Sequence, residues 1–389
     1  MDGWIYSKTS KSSSVKKSPI QKGGVTVKSP VMTMTEKRAS SDPLPGDIEN
    51  HGQPIQVRGF SNPRCRVLRD TLARLATPEL RAQYQKHAQR NIVRWAREAA
   101  EKRNDDGIKM RIEVSEGDWG EVTQELTKRF GTTFASLNMA NAKSFGGAYH
   151  HGAPAQEENM FRRTDCHFHD EGFNRAEDTD GSGSWTYTTE MQNLISGAKG
   201  RVYLDTEEPR VCIKGQEVRT ESSGGVSALK SYRLLNDDEI FSFYELRSAA
   251  VDMRGVNTKY DETELEKRIT AQLETCVDKG VQHVVLSAFG CGAFQNPAEI
   301  VAAAYRNILQ QERYQQHFRV VAFAVFHAGY GPKNFPHFRD AFAFRTESSA
   351  EDKVASKWVK KCCGSGWLYC CIARDGLAQQ DDMATDNAI

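Results

Sequence analysis

Two stretches of this chain are short and almost uninterruptedly apolar: VQHVVLSAF at 281–289 and FRVVAFAVF at 318–326. A run of this length without alternation suits a strand buried on both faces, as in a parallel sheet covered by helices. Between them, NPAEIVAAAYRNILQQERY carries apolar residues at helical spacing. Strand, helix and strand in that order require an α/β layer architecture.

The rest of the chain extends the pattern. CRVLRDTLARLATPELRAQYQKHAQRNIVRWAREAAEKR repeats apolar residues at three and four (Val67, Leu68, Leu72, Leu75, then Ile92, Val93, Trp95) and reads as a helical layer. IKMRIEV is strand-like, WGEVTQELTKRFG is an amphipathic helix closed by Gly131, and TTFASLNMAN is a second strand. Pro154 sets a helix start. RVYLDT, RVCIKG and FYELRSAAVDM read as strands separated by polar segments such as TESSGGVS, and DETELEKRITAQLETCVDKG reads as a helix ending at Gly280. Residues 1–60, rich in Ser, Lys, Pro and Gly, read as a disordered basic tail, and 346–389 as a polar, finally acidic tail. The folded part is expected over 61–345, with a surface loop at 170–185.

Composition excludes several classes. The 389 residues carry a net charge of +1, so no global field draws the chain to nucleic acid or a membrane surface. No run is long and apolar enough for a transmembrane helix, and the N-terminus lacks the apolar core of a secretory signal. Nine irregularly spaced cysteines argue for a reducing compartment, cytoplasmic or nuclear. The doublets Cys362–Cys363 and Cys370–Cys371 suit a soft metal or acyl chains but lack the paired knuckles of a zinc site. His150–His151 and the group Cys166, His167, His169 and Asp170 invite a metal reading. Residues two apart diverge on a helix, however, and this segment reads as a continuing helix. No metal or cofactor is expected, and a monomer is.

Two loops carry the chemistry. In SFGGAYHHGAPAQEENMFRRTD the pair Gly146–Gly147 precedes Gln156–Glu157–Glu158. Glycines let backbone approach a ligand, and adjacent carboxylates beside them offer acid chemistry. In SAFGCGAFQNPAE, a buried strand ends in a glycine loop and a helix begins at once, with Asn296 expected as its N-cap and Pro297 at its first position. Bare amides at a helix start seat an anion. A P-loop would need Lys and a hydroxyl residue here, and neither is present. Both loops follow strands, and ligands of open α/β sheets lie beyond the strands' carboxyl ends. An anion seat beside a carboxylate pair fits a sugar joined to a diphosphate.

These residues carry a resemblance. Gly146–Gly147–Ala148, seven residues, then Gln156–Glu157–Glu158 resembles the GGG-x(6–8)-QEE signature of poly(ADP-ribose) glycohydrolases, and GGAYHHGAPAQEENMFRRT is similar to their microbial type. GCGAFQNP is similar to the family's diphosphate loop, and VVAFAVFHAGYGPKNFPHF to its last strand. The likeness spans about residues 64–345. It implies a macrodomain-like three-layer α/β/α sandwich with a helical N-terminal extension. It further implies a glycosidase that releases ADP-ribose from poly(ADP-ribose) or from ADP-ribosylated proteins.

Residue by residue, the likeness makes Glu158 the catalytic acid and Glu157 its neighbour on the ribose hydroxyls. The ADP-ribose site would be lined by Asn141, Gly146, Gly147, Ala148, Tyr149, Gln156, Phe289, Gly290, Cys291, Gly292, Ala293, Phe294 and Phe326. Tyr149 would cover the distal ribose and Phe326 would pack on the ligand. Two departures stand out. Ala148 replaces the third glycine, which bears on turnover, and the segment at about 170–260 is enlarged. They keep two other readings open: a mono-ADP-ribosyl hydrolase with a dedicated protein target, and a silent ADP-ribose reader.

Overall fold

The apolar runs become neighbouring strands. The computed structural model describes residues 48–50, 53–55, 62–102, 110–169, 172–174, 185–220, 228–255, 258–327 and 333–343. All of them fall in the compact unit Leu44–Ile389. The strands are β1 (Arg111–Ser115), β2 (Ala135–Met139), β3 (Tyr203–Leu204), β4 (Arg210–Cys212), β5 (Lys214–Thr220), β6 (Ala228–Leu234), β7 (Phe241–Ser248), β8 (His283–Leu286) and β9 (Val320–Ala324). A seven-stranded sheet runs β1-β9-β8-β2-β7-β3, with β4 also paired to β7. β1, β9, β8, β2 and β7 are mutually parallel. β3 and β4 run antiparallel to β7.

Both faces of the parallel part are covered, as the apolar runs require. Val284, Leu286, Val321 and Phe323 pack with buried residues of α6 (Glu262–Asp278), α7 (Ala298–Leu309), α8 (Glu312–His317) and α9 (Phe335–Phe342). Val285, Val320, Ala322 and Ala324 alternate with them and pack on the other side against Val122 and Leu126 of α3 (Trp119–Phe130). That second layer continues with α1 (Pro63–Arg74), α2 (Pro78–Lys102) and α4 (Gln156–Phe161), whose buried residues cluster with Phe241 and Phe243 of β7. The period of two along each strand thus divides the core into two apolar layers. The three-layer α/β/α sandwich, with an N-terminal helical extension, is the observed architecture.

The extension is anchored by charge and capping. Asn62 caps α1, and Arg64 makes a two-pronged pair with Glu217 at 2.8 Å on each arm. Lys214 reaches Asp70 at 2.6 Å. These pairs tie α1 to the antiparallel β5–β6 hairpin, which falls within residues 170–260.

Several sequence expectations shift. The long N-terminal helical pattern is two helices, α1 and α2. The helix expected through Tyr314 breaks at Gln310 and Gln311 into α7 and α8. Strand β6, helix α5 (Thr189–Ile195) and helix α9 were not legible. Residues 165–169 form a single 3-10 turn, Cys166–Phe168, where a continuing helix was expected. Within the stretch read as a structureless tail, Ile48–Asn50 and Gln53–Ile55 pair antiparallel. The remainder of 1–60, most of the loop at 170–185, and 346–389 with its cysteine doublets lie outside the described residues. Among the described residues, no helix is long and apolar enough to cross a membrane.

Gly131 ends α3 in the left-handed region at φ 64°, and a Cβ there would strike the backbone of Ala96 and Trp95 in α2. Gly131→Ala is expected to destabilise the fold by more than about 1 kcal/mol, since both the conformation and the space forbid a side chain. Chemical denaturation of the two proteins measures this.

Candidate functional site

β2 and β8 are adjacent and parallel, in register at Val284↔Ala135 and Val285↔Ser136. Their C-terminal ends therefore open at the same edge of the sheet, and both glycine loops leave from it. β9 and β7 flank them, so the segments after Ala324 and Ser248 exit at that edge too. Cross-links join these exits. Ala140 N donates to Ser248 O at 2.9 Å, Met253 N to Phe294 O at 2.9 Å, and Asn296 Nδ2 to Val251 O at 2.8 Å.

The first loop depends on its two glycines. Gly146 and Gly147 stand at φ 70° and 60°. A Cβ on Gly146 would meet the Tyr149 ring at 2.7 Å, and one on Gly147 would meet Glu158 Oε1 at 2.5 Å. Ala148 is different: its φ is −107°, open to any residue. The methyl that departs from the signature therefore leaves the turn unstrained.

Helix α4 begins directly on the signature, and its first turn grips the loop. Gln156 accepts from Met139 N at 2.9 Å through Oε1 and donates to Leu137 O at 2.8 Å through Nε2. Its amide extends the end of β2 and so positions the helix. Glu157 Oε2 accepts from Asn141 N at 2.8 Å, and Glu158 Oε1 accepts from Ala148 N at 3.0 Å. Each glutamate thus anchors one oxygen on a loop amide. The other two oxygens, Glu157 Oε1 and Glu158 Oε2, are buried and have no hydrogen-bond partner among the described residues. Burial drives the Glu157 carboxyl well above the usual 4.5 and Glu158 adds to the rise, while the Asn141 amide and Arg247 oppose it only in part. A protonated Glu157 can donate as well as accept, which suits the paired hydroxyls of a ribose.

The second loop presents amides. Gly290 is at φ 71°, and a Cβ there would crowd Asn296 and Ala250. Asn296 was expected to cap α7. Instead Pro297 is the cap residue, and Asn296 Nδ2 donates to Gly290 O at 3.1 Å. The asparagine is recruited inward because the loop's carbonyls need a donor more than the helix end does. Gly292 and Ala293 are exposed, and among the described residues the amides of Gly292, Ala293 and Phe294 donate to no protein acceptor. Three such amides ahead of α7 are the donors that an anion seat requires.

Other expected site residues fall in different places. Phe289 and Cys291 belong to the core at 0% and 4% exposure, so only their backbone is available to a ligand. Phe294 is half-buried under Arg254, and Phe326, 53% exposed, stands at the exit of β9. Tyr149 does not reach out over a ribose. It is 3% exposed beneath the loop, and its hydroxyl lies 2.7 Å from His167 Nδ1. Asn141 is beside Glu157, but its side-chain oxygen accepts from the amides of Lys143 and Ser144 and so shapes the loop.

Sequence reasoning missed the buried charges that hold α4 and β7. Arg162 donates to Ala153 O at 2.7 Å and to the Tyr232 hydroxyl at 3.1 Å. Arg163 donates to Asp118 at 2.5 Å and to Lys214 O at 3.0 Å. On β7, Glu245 is held by Arg247 at 2.9 and 3.0 Å, by Asn138 at 2.7 Å and by Arg210 at 3.3 Å. Despite full burial, these arginines hold the Glu245 carboxyl down at about 2. The charged pair Glu245 and Arg247 two apart in a strand with Phe241, Phe243 and Leu246 was the available signal.

Comparison with known proteins falls on the same residues. Residues 72–171 match the family model described as microbial-type PARG, catalytic domain. The resemblance read from residues 144–165 to the microbial type of poly(ADP-ribose) glycohydrolase is thus borne out over this segment. No curated protein matches the chain. Among solved structures, the chain is similar to poly(ADP-ribose) glycohydrolase from Thermomonospora curvata, with 21% identity over 72% of this chain and 99% of that one, at a TM-score of 0.47. The same enzyme bound to the inhibitor ADP-HPD gives 22%, 72%, 99% and 0.45. The Deinococcus radiodurans glycohydrolase in complex with ADP-ribose gives 21%, 66%, 96% and 0.40.

The raised Glu157 carboxyl has a sign. Its folded-state value lies above the unfolded one, so its ionisation in the fold is penalised. The penalty is absent below about pH 4.5 and grows as pH rises through the window up to the folded value. Glu157→Gln keeps an acceptor for Asn141 and removes that penalty. The melting temperature of the variant relative to the parent is expected to climb as pH rises above about 4.5. Melting curves of both proteins across that range test it.

Proposed function

We propose that this protein is an ADP-ribosyl glycohydrolase, cleaving the O-glycosidic ribose bond of poly(ADP-ribose) or the link between ADP-ribose and a protein. The observation that carries the reading is the state of Glu158. One of its oxygens is fixed on the Ala148 amide, and the other is buried beside Glu157 in the chain with no hydrogen bond among the described residues. The match of residues 72–171 to a catalytic-domain model supports the same reading.

In this reading the exposed amides of Gly292 and Ala293 hold the diphosphate, and Glu157 engages the ribose hydroxyls. Glu158 gives its proton to the leaving oxygen as the anomeric carbon gains oxocarbenium character. The C–O bond breaks, a water attacks the anomeric carbon, and Glu158, now a carboxylate, takes the water's proton. Acid and base are the same group in turn. Burial of the pair keeps bulk water away from the two carboxyls until substrate arrives. The buried Glu245–Arg247 pair is part of the electrostatic surroundings of Glu157.

Glu158→Gln is expected to lower ADP-ribose release by about 10²–10⁴-fold while calorimetric binding of ADP-ribose persists. The assay uses automodified poly(ADP-ribose) and mono-ADP-ribosylated proteins side by side. Equal release by parent and variant removes Glu158 from the chemistry.

One departure favours a second reading, a silent reader of ADP-ribose. It rests on Ala148, the methyl in place of the third glycine. Because φ at Ala148 does not require glycine, Ala148→Gly is expected to change kcat by less than about tenfold, or about 1.4 kcal/mol. An inert parent with an active Ala148→Gly variant would establish the reader instead.

A further inference from the structure

Away from the glycine loops, on the antiparallel side of the sheet, three metal-ligating side chains converge. Atoms of His169, Asp205 and Glu208 lie within 4.8 Å of one another. The three come from two separated segments. His169 follows the turn after α4, while Asp205 and Glu208 bracket the short connection from β3 to β4. We infer that His169, Asp205 and Glu208 form a binding site for a divalent transition-metal ion of the Mn²⁺–Zn²⁺ class.

The imidazole is oriented for this role from behind. His169 Nε2 faces Asp165 Oδ2 at 3.5 Å, while Nδ1 faces Glu208 Oε2 at 3.5 Å. A carboxylate behind a histidine fixes the ring and raises its basicity as a ligand. Asp165 is itself wholly buried. Its Oδ1 accepts from Val211 N at 2.7 Å, but Oδ2 is buried with no hydrogen bond among the described residues. A buried carboxylate oxygen left uncompensated is costly. A cation on the far nitrogen, Nδ1, fixes Nε2 as the N–H that faces this oxygen.

The carboxylates are suitably placed and charged. Asp205 Oδ1 accepts from the amides of Glu207 and Glu208 at 2.9 and 3.1 Å, and Oδ2 accepts from Arg210 at 3.0 Å. Each oxygen retains lone-pair capacity for a metal. The cations around the group are Arg210, which is shared with Glu245, Arg81, whose guanidinium feels Asp165, and Lys86 and Arg90, which line the same cleft. Glu208 is 70% exposed, and with His169 it lines an open cleft of about 870 Å³, so an ion and its waters have a route in. One imidazole with two carboxylates suits Mn²⁺ or Zn²⁺ better than ions that demand oxygen alone.

A bound ion ties the segment leaving α4 to the β3–β4 connection, and Asp205 continues through Arg210 to Glu245. The site is separate from the glutamates of the glycine loop and needs no ADP-ribose.

The test uses the full chain, stripped with chelator and dialysed, with Mn²⁺ alone as probe. Mn²⁺ is chosen because thiolates of the C-terminal cysteines prefer softer ions. Loss of the free-ion electron paramagnetic resonance signal counts bound Mn²⁺. The expected result is one ion per chain at micromolar Mn²⁺, with a rise in melting temperature on binding. Glu208→Gln, at an exposed position that leaves the fold intact by circular dichroism, is expected to weaken binding at least about tenfold, and Asp165→Asn by about 10–100-fold. No binding up to millimolar Mn²⁺ overturns the inference, and so does affinity unchanged in Glu208→Gln. Binding is read without substrate, so failure here leaves the glycohydrolase reading intact, and the reverse holds.

Discussion

The candidate site depends on two hydrogen bonds that run from a helix's first turn back into the loop before it. Glu157 takes the Asn141 amide and Glu158 takes the Ala148 amide. Those bonds fix the loop's path and the carboxylates' positions at the same time. Neither is possible unless Gly147 lacks a Cβ, because a methyl there would occupy the space of Glu158 Oε1. Gln156 completes the arrangement by closing both of its amide bonds on β2. Strand, loop and helix are thereby one unit, held at the edge where β8 delivers the second loop.

Such a unit is expensive in desolvation, and the surroundings offset it with paired charge. A buried ion pair costs several kcal/mol per ion in desolvation unless its geometry is good and its remaining polar atoms are bonded. Around Glu245 both carboxylate oxygens are bonded, by two arginines and an asparagine, and Arg247 also lies over the rings of Phe145, Tyr187 and Tyr203, while among the described residues Arg247 Nη1 and Asn138 Oδ1 have no hydrogen bond. Arg162 and Arg163 perform the same service for the end of α4 by closing on carbonyls, Asp118 and the Tyr232 hydroxyl. The exceptions are informative. Among the described residues, carboxylate oxygens buried without a hydrogen bond occur at Glu157, Glu158 and Asp165; the last faces His169, and at the two glutamates a ligand would supply the missing bond.

Legibility followed the range of the interaction concerned. Helix α3 was readable because Asp118, an apolar face and Gly131 all lie within one short window. β8 and β9 were readable because burial on both faces leaves no alternation. Helix α9 was hidden in a segment similar to a strand's continuation, and β6 lies in a polar hairpin whose partner, not its composition, makes it a strand. Asn296 carried a helix-cap signal that a neighbouring carbonyl overrode. Tyr149 was expected over the distal ribose, yet Gly146 leaves room for its ring to fold beneath the loop.

By itself the sequence determined the α/β class, the pairing of a glycine turn with two carboxylates, and the amide-bearing loop after β8. These are local matters of side-chain period, backbone freedom and adjacency along the chain. Only the tertiary structure decided that the two loops share one sheet edge, which oxygens are anchored and which are left, and that Phe289 and Tyr149 face inward. It alone brought His169 to Asp205 and Glu208, and Arg64 to Glu217. Those outcomes depend on which strand lies beside which and on how buried charges find partners. No window of neighbouring residues contains that information, because the partners meet only when the sheet closes.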